Sequence, residues 1–328
     1  MPLITYTDKG LYCEQADVYI DPWKSVHKAI VTHAHSDHAR WGMKHYLSTK
    51  LSEEVLRLRL GKDISIQTLE YAEKIWMNGV EISMHSAGHI PGSAQIRLAY
   101  KNEIWVISGD YKIEEDGIST PIELQKCTHF ITESTFALPI YDWKDQKEVF
   151  NEVNEWWRQC VEEGKVCVMI GYSLGKAQRI LKNIDHSIGP VYVHKTIADT
   201  NEALIKSGLN LPSYKRIEED TKEEHFKNAM IICSPNAMQE KWFSKIKEYE
   251  TAYCSGWMAI RSARKKLNMD RGFVISDHAD WKGLNYAIKE TEAEKVYVTH
   301  GYNALFARWL NEQGIQAQEL NTLFDREE

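Results

Sequence analysis

Apolar and polar positions change places in short runs over the first hundred residues. Val18, Tyr19 and Ile20 form one run, and Ala29, Ile30, Val31 and Thr32 another. Both are β-branched or aromatic, and both end in turn-forming or polar residues, which predicts strands. The same texture predicts strands at 81–84, 94–100, 103–107 and 129–132. Residues 52–60 read differently: Ser52 offers a cap, apolar residues follow at helical spacing, and Gly61 stops the helix. Beyond Ala137-Leu-Pro-Ile140 the texture changes. A long helix is predicted at 145–163, stopped by Gly164, then a buried strand at 166–170 and, after a glycine-containing turn, a helix at 176–182. Strands follow at 191–193 and 230–233, and such strand–helix alternation predicts a parallel sheet. Strand texture returns at 272–276 and 295–299, before a helix at 305–310. The chain reads as an α/β protein in three parts, 1–138, 139–271 and 272–328, the middle part inserted into a lobe that the other two build.

Composition narrows this picture without changing it. The 328 residues are 43% hydrophobic and 27% charged, enough to bury a substantial core. The net charge of −7 argues against indiscriminate binding to nucleic acid. A nuclease with this charge needs a local basic strip, and metal ions to neutralise phosphate. The cysteines, Cys13, Cys127, Cys160, Cys167, Cys233 and Cys254, form no C-x-x-C pair. Their apolar neighbours, as in Val166-Cys167-Val168, make them buried, reduced hydrophobes. The N-terminus lacks the basic and apolar regions of an export signal. No apolar run approaches the roughly 20 residues of a membrane helix. A soluble, cytoplasmic protein without membrane contact is expected.

Chemistry concentrates after the strand at 29–32. His33, His35, Asp37 and His38 spell H-x-H-x-D-H. Alternation puts His33 and His35 on one side of the extended chain, and Asp37 and His38 follow where it turns, into a predicted helix. Three imidazoles and a carboxylate so close suit two adjacent metals, one bound by His33 and His35, the other by Asp37 and His38. His89, in the turn Ala87-Gly-His-Ile-Pro-Gly-Ser93, Asp110 and His300 also follow strands, where ligands gather in α/β sheets. A carboxylate at Asp110 can bridge two metals. His27, His45, His85, His129, His186, His194 and His225 lack that placement or lack companions, and His85 suits a structural role or one behind the ligands. Asp21, before Pro22, can orient a histidine ligand, but its spacing fits an ordinary turn aspartate equally.

These residues resemble the metallo-β-lactamase superfamily, whose successive ligand motifs match His33 to His38, His89 and Asp110. Thr132-Glu133-Ser134-Thr135, Ser276-Asp277-His278-Ala279-Asp280 and Val298-Thr299-His300-Gly301 resemble the three further motifs of its β-CASP nuclease branch. Similarity to the bacterial ligase-associated DNA exonucleases extends over nearly the whole chain, from Gly10-Leu-Tyr-Cys13 to Asp270-Arg-Gly-Phe273 and the stretch from Ser276 to Trp281. The resemblance implies an αββα sandwich with an inserted parallel α/β β-CASP cassette. It implies one metal on His33, His35, His89 and Asp110, and a second on Asp37, His38, Asp110 and His300. It further implies phosphodiester hydrolysis by a hydroxide that the two metals activate, with His278 as general acid and Glu133 on its other ring nitrogen. Outside the resemblance, Glu133 reads as a capping or surface carboxylate. Imidazole-rich ligands suit zinc, and manganese tolerates such mixed sites. The implied setting is DNA repair, on single strands or free ends, beside an ATP-dependent DNA ligase and a helicase. A histidine at position 300 is the feature more typical of the RNA-processing members.

Lys176 and Arg179, at a helix start, are candidates to hold phosphate. Arg261, Arg264, Lys265, Lys266 and Arg271 form the dense basic run, which fits an electrostatic footprint or a solvated face equally. Trp281, just past His278, is the tryptophan best placed to line a cleft, while Trp156 and Trp157 read as packing. Beside the DNA exonuclease stand three other readings: an RNA-processing nuclease, a small-molecule metallo-hydrolase, and a scaffold that has lost its metals.

Overall fold

A computed structural model describes residues 2–266, 269–320 and 322 of the chain, which divides into two units. The first comprises Met1–Glu115, Ser119–Asp142 and His278–Glu328. Its first sheet runs in the spatial order Ile4–Thr7, Gly10–Cys13, Val18–Ile20, Lys28–Ile30, His45–Thr49, Ile66–Leu69. It is antiparallel up to Val18–Ile20 and parallel beyond. The second sheet runs Ala317–Glu319, Lys295–Gly301, His129–Ser134, Glu103–Ile107, Ala94–Tyr100, Val80–Ser86, Lys74–Met77. Its first four strands are parallel and the rest antiparallel.

Period-two alternation assigns the faces of the second sheet. Ile107 and Ile131 point toward the first sheet, sharing a core with Leu11, Ile20, Ile30 and Leu47. Their neighbours Val106 and Phe130 point the other way, against Leu284 and Ile288 of the helix Trp281–Thr291 and Phe306 and Leu310 of the helix Asn303–Glu312. The helix Glu53–Leu60 buries Val55, Leu56 and Leu60, the apolar positions that predicted it. These layers are the metallo-β-lactamase type of α/β sandwich.

The second unit comprises Asp116–Ile118 and Trp143–Asp277. Its six strands lie in the order Lys215–Arg216, Val191–Val193, Met230–Cys233, Val166–Ile170, Tyr249–Cys254, Arg271–Phe273, every neighbouring pair parallel. The helix Gln146–Glu162 is capped by Asp145, whose carboxylate accepts from Lys147 N–H at 2.8 Å. Its stripe of Val149, Val153, Trp156 and Cys160 enters the core with Cys167 and Met169. Both Trp156 and Trp157 are packing residues.

Three local expectations differ. The signature does not enter a helix: His38 N–H and Ala39 N–H both bond His35 O, forming a turn. The strand before it ends at Ile30 because Thr32 N–H leaves the ladder for the Asp21 carboxylate, at 2.8 Å. Of residues 272–276, only the first two are in a strand, Arg271–Phe273, which pairs with Tyr249–Cys254 in the second unit. The chain therefore re-enters the first unit at His278 rather than near 272. It leaves that unit after Asp142 rather than 138, since Tyr141 is fully buried there against Phe136 and Tyr302. Among the described residues no helix is long and apolar enough to cross a membrane.

Candidate metal centre

Four segments of the first unit deliver the cluster. His33, His35, Asp37 and His38 follow the strand Lys28–Ile30, His89 follows Val80–Ser86, Asp110 follows Glu103–Ile107, and His300 lies at the end of Lys295–Gly301. All seven side chains belong to buried residues, none more than 9% exposed. Possible ligand atoms of His33, His35, His89 and Asp110 lie within 4.8 Å of one another, as do those of His38, Asp110 and His300, and of His33, Asp37 and His38.

Asp110 divides the cluster. Its Oδ2 faces His33 Nε2 at 3.5 Å and His89 Nε2 at 3.8 Å. Its Oδ1 faces His38 Nε2 at 3.6 Å and His300 Nδ1 at 3.3 Å. Asp37 Oδ2 lies 3.6 Å from His38 Nε2 and 4.0 Å from His300 Nε2. One carboxylate thus presents an oxygen to each of two imidazole groups.

The surrounding bonds fix which ring nitrogens face inward. Asp21 can only accept, so His38 Nδ1–H donates to its Oδ2 at 2.7 Å, which turns Nε2 toward Asp110 as the atom left to meet a metal ion. Thr32 Oγ1–H also donates to Asp21 Oδ2, at 2.5 Å. That leaves Thr32 Oγ1 to accept from His33 Nδ1–H at 3.1 Å, so His33 Nε2 carries a lone pair inward. Asp21 is therefore more than a turn residue, and Thr32 is a member of the relay that spacing did not reveal. On the neighbouring strand, Glu133 accepts from His278 Nδ1–H at 2.8 Å and from Tyr111 N–H at 2.8 Å. The His278 ring packs beside His89, 4.6 Å between centroids.

Charge follows this geometry. Burial pushes the Asp110 carboxyl up, but the imidazoles of His300 and His38 hold it well below the usual carboxylate range. Burial pushes His38 down, and the carboxylates of Asp110, Asp37 and Asp21 more than reverse this, to about 10. His300 rises against burial for the same reason, chiefly through Asp110. His33 falls, through burial and the nearby His38. Meanwhile His33 Nε2, Asp37 Oδ2 and both Asp110 oxygens have no hydrogen-bond partner among the described residues. Buried polar atoms so aimed need a cationic partner. Five imidazoles and two carboxylates are a donor set that fits divalent metal ions.

Backbone shape supports the same reading. His300 sits at φ 54°, in the left-handed region, a conformation that non-glycine residues hold at a cost. Gly301 follows at φ 132°, and a Cβ there would meet Ser134 O at 2.3 Å.

No protein-family model matches the chain. Curated relatives do. A protein named "Probable DNA ligase" from Opitutus terrae is 27% identical over 319 residues, 97% of this chain and 31% of the relative. "RNase aCSPSF2" from Saccharolobus solfataricus is 23% identical over 77% of this chain and 58% of its own. These relatives are β-CASP nucleases of the metallo-β-lactamase fold, and this chain is similar to them over most of its length. It spans about a third of the first relative and under two thirds of the second. A crystal structure of a protein of unknown function from Enterococcus faecalis V583 shares the fold, with a TM-score of 0.59 and 12% identity over 91% of this chain and 80% of that one.

Not every residue singled out in the sequence belongs to this cluster. Lys176 and Arg179 are buried within the second unit, 3% and 5% exposed. Lys176 Nζ pairs with Asp277 Oδ2 at 3.1 Å and lies over the Tyr172 ring. Arg179 donates to Ser276 O and Gln146 Oε1. Their charges are thus engaged within that unit, a setting that the sequence, which made them candidates to hold phosphate, did not reveal. Trp281 packs against Phe306 and Trp309 on the helical layer. Arg261, Lys265 and Lys266 are exposed on a short helix of the second unit, and the Arg264 side chain lies outside the described ones. His85 bonds Ser83 Oγ at 3.0 Å and lies outside the metal groupings.

Proposed function

We propose that this chain is a metal-dependent DNA exonuclease. The observation that carries the reading is Asp110, with one oxygen turned to His33 and His89 and the other to His38 and His300. His33, His35, His89 and Asp110 would hold one divalent ion, and Asp37, His38, Asp110 and His300 a second. Zinc suits the nitrogen-rich donors and manganese is the alternative. Bound there, the ions supply Lewis-acid chemistry, acidifying water and offsetting phosphate charge. The protein's own residues do the rest. Asp21 and Thr32 lock the inward lone pairs of His38 and His33. Glu133 holds His278 Nδ1–H, leaving Nε2 to carry the proton given to the departing oxygen as the phosphodiester bond breaks. We assign the first unit as the metallo-β-lactamase lobe and the second as the β-CASP cassette.

Similarity across 97% of the chain to a relative named for a DNA ligase supports DNA as substrate, repair as setting and a ligase as partner, while a helicase partner rests on the resemblance alone. Six free, buried cysteines suit a reducing cytoplasm. A second reading, RNA processing, is favoured by the relative named as an RNase and by the histidine at position 300. The deciding experiment is digestion of end-labelled single-stranded DNA and RNA with zinc and manganese in turn, with Asp37→Ala as blank. Progressive shortening of DNA from one end is expected. Strong preference for RNA, or internal cuts alone, overturns the exonuclease reading.

A further inference from the structure

The turn that leaves the metal signature carries Trp41, 77% exposed, the most exposed large hydrophobic side chain among the described residues. Leaving an indole in water forgoes the burial that usually places tryptophan inside. Here the exposure is built in. Tyr46, itself 3% exposed, bridges the turn from within: its hydroxyl donates to Arg40 O at 2.9 Å and accepts from Met43 N–H at 3.1 Å. Gly42 supplies φ 99° between them. The turn is also tied to the cluster, since Arg40 Nε–H donates to Asp37 O at 3.4 Å. Cations flank it. Arg59, an exposed residue, donates from Nη1 to Ala34 O at 2.6 Å, within the metal signature. Lys44 is exposed three residues beyond Trp41. An exposed aromatic plate on a turn whose backbone is pinned, with Arg40 and Lys44 close by in the chain and the His/Asp cluster just before it, has the parts of a single-strand platform.

We infer that Trp41 is a substrate-binding residue that stacks on an unpaired nucleobase next to the cleaved phosphodiester, with Arg40 and Arg59 steering the backbone. The inference rests on the proposed nuclease reading and adds a specificity: strands whose bases are free to stack. A fully paired duplex, whose bases stack on each other, gains nothing from the indole.

The test is fluorescence anisotropy on the full chain treated with chelator, using a labelled single-stranded deoxyoligonucleotide, the same strand with a run of abasic sites, and a blunt duplex. Trp41→Ala is expected to weaken binding of the intact strand about 5- to 150-fold, the range base–aromatic stacking spans. Trp41→Phe keeps most of the affinity. Abasic strand and duplex bind both variants as they bind wild type. Melting temperature stays unchanged, since the indole is 77% exposed. If wild type binds and cuts the strand while Trp41→Ala binds it within twofold of wild type, this inference falls and the nuclease reading stands. If wild type neither binds nor cuts any strand, both fall.

Discussion

Replacing Asp21 by asparagine tests the site's logic most directly. The backbone tolerates the change, because Asp21 sits at φ 43° and asparagine occupies that region as readily as aspartate. Size and Thr32 N–H pairing are preserved. What is lost is the negative charge and an oxygen that accepts from both His38 Nδ1–H and Thr32 Oγ1–H. An amide nitrogen in that place donates instead, which drives the His38 proton to Nε2, the atom that must face the cluster with a lone pair. Losing a partner of this kind lowers metal affinity about 10- to 100-fold, or about 1.4–2.7 kcal/mol. The assay is metal titration against a competing chelator, with melting temperature as control. A folded Asp21→Asn variant whose affinity changes less than twofold would refute the tautomer argument.

Four further outcomes are expected. Glu133→Gln should lower kcat about 100-fold or more while bound metal, measured by elemental analysis, stays at wild-type stoichiometry; parallel loss of metal would make Glu133 a ligand instead. His300→Ala should lose one of two bound ions, and retention of both in mass spectrometry under native conditions would contradict the assignment. Gly301→Ala should destabilise the fold by more than about 1 kcal/mol in urea, since its φ is 132° and Ser134 O stands in the way. In the metal-free protein His38 is raised from 6.5 to about 10, so the stability it lends is complete below pH 6.5 and drains away as pH rises through 10. Melting temperature in chelator should therefore fall over that interval, and fall less in Asp21→Asn; an identical pH dependence in the two proteins would remove His38 as its source.

Much of this site was legible in the sequence because its residues sit at element ends, where apolar runs stop. His89, Asp110 and His300 stood out for that reason, and the structure gathers them around His33 to His38. What escaped were features decided by partners distant in sequence. Thr32 looked like the last residue of a strand, yet its amide and hydroxyl turn to Asp21, eleven residues earlier. Lys176 and Arg179 looked like charges at a helix start, and only the fold reveals the Asp277 carboxylate, about a hundred residues on, that takes Lys176 out of solvent. Short strands such as Ile4–Thr7 and Lys74–Met77 carry too few residues for their alternation to be read alone. Trp41 was one aromatic among eleven tryptophans until its exposure and the Tyr46 bridge set it apart.

The relay of His33, Thr32, Asp21 and His38 also bears on how such a centre can evolve. One carboxylate keys imidazoles on both sides of Asp110, so neither half can be retuned alone. With the two ions proposed here, a substitution at position 21 that softened the grip on one would loosen the other in the same stroke. Drift toward a different metal is thus channelled to residues outside the relay, His35, His89 and His300, where a change alters one half and leaves its neighbour's proton in place.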